Sequence, residues 1–137
     1  MSDSAEADRI IALLYLAPHP EGGHYRQTWR DLSGGGARGH STLIYFLLKA
    51  SEVSRWHKVD AAETWHYYRG APVELKIGRA VHVLGPALEQ GERPQAVVPR
   101  GEWQTARSLG AYSLVGCTVA PGFDFKGFEL APEGFEA

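Results

Sequence analysis

Cysteine is almost absent: Cys117 stands alone in 137 residues, so no disulfide can form within the chain. A lone thiol fits a reducing compartment. Long apolar runs are missing too. IIALLYLA and TLIYFLL fall far short of the ~20 residues that span a bilayer. No basic cluster exists either. The 14 Lys and Arg are dispersed against 16 Asp and Glu, giving a formal charge of −2, which argues against a polyanionic partner. The opening MSDSAEAD lacks the basic-then-apolar order of a secretory leader. Together these absences predict a cytoplasmic protein that binds neither nucleic acid nor membrane.

What is present points to strands. Sixteen glycines and eight prolines favour many turns over long helices. One helix is expected, over AEADRIIALLYL (5–16). Its apolar residues fall at 10, 11, 13, 14 and 16, Ser4 can cap it, and Pro18 ends it. That stripe should pack on the outside of a sheet. From Gly22 onward, short apolar segments alternate with Gly, Pro and acidic breaks. They include HYRQTW, HSTLIYFLLK, SEVSRWHKV, ETWHYYRG, VELKIG, AVHVLG, QAVVP and AYSLVGCTV. Many short strands with regular breaks predict an all-β sandwich or barrel. DLSGGGARG (31–39) reads as a hairpin tip, and AVHVLG, carrying His82, as an edge strand. The length predicts one domain over 1–137, with loose ends at 1–4 and 132–137.

Chemistry concentrates in RWHKVDAAETWHYYRG (55–70), which holds two histidines, two acids, two tryptophans and two tyrosines. Alternation along a strand puts 55, 57 and 59 on one face, and 63, 65 and 67 on another. A short hairpin would set His57, Glu63 and Tyr67 on one wall and turn His66 and Tyr68 away. Elsewhere the residues carry plainer readings. Cys117 in an apolar strand is a buried, inert thiol. PHPEGG is a loop with no phosphate-binding fingerprint. Asp124 caps a turn or, as the second reading, closes the pocket rim, Asp60 belongs to a loop, Trp103 seals a barrel end or an interface, and Gly70 permits a positive-φ turn.

His57-x-Val59-x3-Glu63-x6-Gly70 resembles the first cupin motif, and Pro99-Arg100-Gly101 with Gln104 and Ser108 stands where the second would lie. PHPEGGHYRQT (18–28), STLIYFLL (41–48), WHKVDAAETWHYYRG (56–70) and SLVGCTVAPGFDFKGFELA (113–131) resemble one family of that superfamily, DUF985 or Cupin_5. The resemblance implies an all-β double-stranded β-helix, an RmlC-like jelly-roll barrel with a short N-terminal helix, assembled as a homodimer. It also implies a small-molecule ligand.

The departures from the cupin pattern are chemical. Val59 replaces a histidine and cannot bind metal, and Gln104 replaces another with a weak oxygen ligand. Two protein ligands rarely hold zinc or iron. No cofactor is therefore expected. A divalent metal, if held, would use His57, Glu63 and Gln104. The metal-free sugar-nucleotide epimerases of the superfamily suggest acid–base chemistry instead. On that reading His57 is the base, Glu63 orients it, Tyr67 is the opposing acid and Arg26 holds an anionic group, with Tyr45, Trp65 and Gln104 lining the ligand. Gln27 is neutral where those epimerases place an acid beside the base. The alternative is a non-catalytic cupin that binds or senses a small ligand.

Overall fold

The computed structural model describes residues 3–33 and 36–137. A helix, α1 (Asp3–Leu13), precedes β1 (Ala17–Pro18), β2 (His24–Asp31), β3 (Ser41–Lys49), β4 (Val53–Val59) and β5 (Ala62–Gly70). Then come β6 (Val73–Ile77), β7 (Ala80–Leu84), β8 (Gln95–Val98), β9 (Gln104–Ser108), β10 (Tyr112–Ala120) and β11 (Phe128–Leu130). They form two antiparallel sheets. The six-stranded one has the order β1-β2-β3-β10-β5-β8, and the five-stranded one β11-β4-β9-β6-β7. This is the expected all-β jelly-roll barrel with an N-terminal helix. Among the described residues no helix is long and apolar enough to cross a membrane.

The helix begins one residue before Ser4 and ends short of residue 16. Its end follows the Schellman pattern: Leu16 N donates to Ile11 O at 2.9 Å, and Tyr15 adopts a left-handed φ of 56°. Leu16 still reaches the apolar stripe. Ala7, Ile10 and Leu16 cover Leu47, Tyr112 and Leu114 on the outside of the six-stranded sheet, with Ile11 and Leu14 partly buried beside them, while Leu13 of the expected stripe is 63% exposed. The hairpin tip joins β2 to β3, and its Gly34 and Gly35 lie outside the described residues, as do Met1 and Ser2. The tail 132–137, expected to be loose, returns to the barrel. The Phe135 ring centroid lies 4.7 Å from that of Trp103 and 6.0 Å from that of Trp56.

Alternation sends one side of each strand inward. One end of the barrel fills with Phe46, Leu48, Trp65, Leu75, Leu84 and Val115. Fully burying side chains of this size contributes about 1.5–3 kcal/mol each. The other end stays open, with Val59, Val119, Phe123 and Phe128 around it. Two bulges decide what faces that opening. In β4 the register shifts between Ser54 and His57, so an even and an odd residue both turn inward. In β2 it shifts between Gln27 and Trp29. Tyr25 and Gln27 face the interior before that bulge, and Arg30 faces it after.

Candidate active site

The expected hairpin over 55–70 does not form. β4 pairs with β9 and β11, whereas β5 pairs with β10 and β8. His57 and Glu63 thus lie on opposite sheets, and both line the open cavity of about 470 Å³. Inward alternation, not a shared wall, brings them together.

The His57 ring is 1% exposed. Its Nδ1 lies 2.7 Å from the Arg55 carbonyl, which can only accept, so Nδ1 carries hydrogen and Nε2 holds the lone pair. Burial lowers the His57 pKa, partly opposed by the Glu63 charge and the Arg55 carbonyl. The imidazole is therefore neutral near pH 7, with its basic nitrogen toward the cavity.

Glu63 is held by a relay. The Trp65 indole, a donor only, bonds Gln104 Oε1 at 2.9 Å. That fixes the amide orientation, so Gln104 Nε2 donates to Glu63 Oε1 at 2.8 Å. Burial raises the Glu63 pKa to about 7, with His57 opposing, Glu21 adding, and bonds from Gln104 and Cys117 opposing. With Oε1 accepting from Gln104, the proton of the neutral acid sits on Oε2. Gln104 is thus placed as a positioning group, its oxygen already committed to Trp65. Cys117 is buried as expected, but its thiol touches Glu63, and burial first, then both glutamates, push its pKa well up.

The sequence reading missed Glu21 and His19. They sit in the PHPEGG turn, closed by His19 N to Gly23 O and Gly22 N to His19 O, each 2.9 Å. Gly22 and Gly23 take φ of 108° and 78°, and a Cβ on Gly22 would overlap the Val53 carbonyl. The turn is thereby pressed against β4, where Arg55 N bonds Glu21 O at 2.7 Å. Ser54 Oγ donates to Glu21 Oε2, and that oxygen lies 3.6 Å from His57 Nε2. Burial raises the Glu21 pKa to about 8, against the Ser54 hydrogen bond. Neutral forms of both His57 and Glu21 are favoured, so their approach is acid beside base and no ion pair. His19 accepts the Glu21 N–H on Nδ1 at 3.0 Å, and burial, then His57, lower its pKa to about 4. It is a neutral ring packed edge-on to Tyr25 at 4.4 Å. The one signal in the sequence was an acid locked between Pro-His-Pro and Gly-Gly.

Other expected site residues lie elsewhere. Tyr67 shares the inward face with Glu63, yet four residues along a strand is about 13 Å. It packs against the closed core and donates to Gly70 O at 2.5 Å. Arg26 faces out beside α1, bonding Leu14 O at 3.5 Å. Tyr45 packs with the helix outside the sheet. Trp65 is core, touching the site only through Gln104. Asp124, by contrast, lines the cavity while also capping a turn at Lys126 N, and Asp60 pairs with Arg38 at 2.8 Å.

Cupin barrels commonly carry a metal, and this donor set does not fit one. Among the described residues no three His, Cys, Asp or Glu side chains group so as to hold an ion. Val59 lines the cavity where an imidazole would be needed.

A family model described as cupin superfamily (DUF985) matches residues 8–131. The chain belongs to this family. A Shewanella oneidensis protein is similar at 38% identity and a TM-score of 0.88, covering 91% of this chain and 84% of that one. A hypothetical Leishmania major protein is similar at 32% and 0.82, covering 91% and 86%. A Klebsiella pneumoniae protein with a double-stranded β-helix domain shares the fold at 17% and 0.62, covering 97% of each. No curated protein matches the chain.

Proposed function

We propose that this DUF985 chain is an isomerase or epimerase of a polar, sugar-like small molecule, working by metal-free acid–base chemistry. The observation that carries the reading is that His57 and Glu63, on opposite sheets, line one cavity of about 470 Å³, the imidazole Nδ1 bonded to the Arg55 carbonyl and the carboxyl oriented by Gln104, with burial lowering the His57 pKa and raising that of Glu63 to about 7. That volume suits a small metabolite. His57 Nε2 takes a proton from a carbon next to a carbonyl while Glu63 Oε2–H gives its proton to the carbonyl oxygen. An enol results. For an isomerisation the imidazolium then gives its proton to the former carbonyl carbon, and Glu63 takes a proton from the hydroxyl on the carbon that lost one, whose oxygen becomes the new carbonyl. For an epimerisation the enol must turn its other face to the imidazolium before the proton returns to the same carbon, and Glu63 takes back the enol proton. Each group starts and ends in the same state. The Glu63 pKa of about 7 lies near the working pH, where general acid catalysis is efficient. Tyr67 has no part in this scheme because Glu63 supplies the acid.

The test incubates the protein in deuterium oxide with a panel of aldoses, ketoses and sugar phosphates, read by proton NMR. The expected result is deuterium at the carbon beside the carbonyl, or an isomeric product, abolished in His57→Asn and Glu63→Gln. Ligands that bind the unaltered protein and return unchanged would instead establish a binding module, which the aromatic wall of His19, Tyr25, Phe123 and Phe125 also suits. A homodimer is part of the proposal. β1 covers β2 only at His24 and Tyr25, and the further length of β2 is an open edge among the described residues. Sedimentation velocity showing a monomer at micromolar concentration would refute that assembly.

A further inference from the structure

The acid–base floor uses β4, β5 and the PHPEGG turn. It leaves the β2 wall of the same cavity without a task, although that wall carries Arg30, Gln27 and Tyr25. The two cavity arginines differ. Arg38 is spent: its Nε bonds Gly122 O at 2.6 Å, and both terminal nitrogens grip Asp60 at 3.1 and 2.8 Å. Asp124 adds further negative charge near Arg38. Arg30 is held only by neutral oxygens, Arg38 O at 2.6 Å, Phe123 O at 2.8 Å and Gln27 Oε1 at 3.2 Å. Among the described residues it has no carboxylate partner. A half-buried guanidinium fixed by carbonyls keeps its full charge and has N–H groups to spare. Gln27, by accepting from Arg30 on Oε1, is oriented to offer its amino group beside it.

We infer that the β2 wall is an anion subsite, in which Arg30, with the Gln27 amide and the Tyr25 hydroxyl, takes a carboxylate or phosphate on the substrate. The inference deepens the isomerase reading and rests on it for the word substrate. It assigns an acidic sugar or a sugar phosphate as the class, its charged end on β2 and its carbonyl at the floor. A fixed fork of donors suits either oxyanion. The β-bulge between Gln27 and Trp29 is what turns Arg30 inward, since Arg26, four residues earlier, faces out.

Titration calorimetry with glucose, gluconate and glucose 6-phosphate tests it. At least one anionic probe is expected to bind at least tenfold more tightly than glucose, and which one does so separates carboxylate from phosphate. Arg30→Gln is expected to erase that preference. Equal binding of all three probes, failure of both anions to bind, or a preference surviving in Arg30→Gln would overturn the subsite. If Arg30→Gln does not fold, Gln27→Leu is read instead. It should weaken the anion several-fold and leave glucose unchanged, and an equal effect on both, or none, counts against the subsite. His57→Asn is expected to keep the preference. Anion binding without proton transfer therefore removes only the isomerase reading. Proton transfer on neutral sugars, unimpaired in Arg30→Gln, removes only the subsite.

Discussion

Replacing Gln104 with leucine cuts the relay that orients Glu63, and its size can be worked out from the structure. Gln104 is 0% exposed, so solvent cannot replace what it gives. The substitution strands two buried groups, the Trp65 indole N–H and Glu63 Oε1. Each unsatisfied group costs about 1–3 kcal/mol. Leucine recovers part of this by burying apolar surface, leaving roughly 2–4 kcal/mol. For a chain of this length each kcal/mol lowers Tm by about 3–4 °C. The expected fall is therefore about 7–15 °C by calorimetry at pH 5.5. It should be larger at pH 8.5. The Gln104 bond lowers the Glu63 pKa, so its loss raises that pKa further above the unfolded value near 4.5. A carboxyl whose folded pKa is raised favours folding least once pH exceeds that pKa, here about 7, so the variant's deficit grows across it. Melting within 2 °C of the unaltered protein at both pH values would refute the relay.

Glu21 makes a related demand. Its folded pKa of about 8 against an unfolded 4.5 means the folded state holds the extra proton, so stability is lost as pH rises between those values. Glu21→Gln should flatten urea-derived stability from pH 5 to 8 by up to about 1.4 kcal/mol per pH unit. An unchanged slope would show that Glu21 ionises normally. Cys117 should resist thiol reagents until the protein is unfolded, and rapid labelling of the native state would contradict its burial against Glu63. Phe135→Ala should lower Tm by about 3–7 °C, since the ring rests on Trp103 and Trp56 and forfeits about 1–2 kcal/mol. No change would mean that the tail does not pack in solution.

Fold and floor were legible in the sequence to different depths. Period-2 segments and their Gly and Pro breaks marked the strands, and the apolar stripe at 10–16 marked the helix against the outer sheet face. His57 and Glu63 were found because they stand at cupin-motif positions, and their inward orientation holds although the expected hairpin pairing does not form. Three things were not legible. Parity says nothing of depth, so Tyr67 shared a face with Glu63 while belonging to the closed end. A bulge changes parity without a sequence marker, so Arg30 rather than Arg26 reaches the cavity. Glu21 has no periodicity at all. Its place depends on two positive-φ glycines and on bonds to Ser54 and Arg55, more than thirty residues away.

The proposed chemistry needs a neutral imidazole and two carboxyls whose pKa values burial raises into the working range. Glutamate labelled with carbon-13 at Cδ, titrated by NMR from pH 4 to 9, tests this most directly. Glu21→Gln and Glu63→Gln assign the signals. The expected result is two carboxyls that titrate together above pH 6, near 7 and 8, as a coupled pair. If every glutamate is ionised by pH 5.5, the cavity floor is a pair of ordinary carboxylates and the proposed acid does not exist.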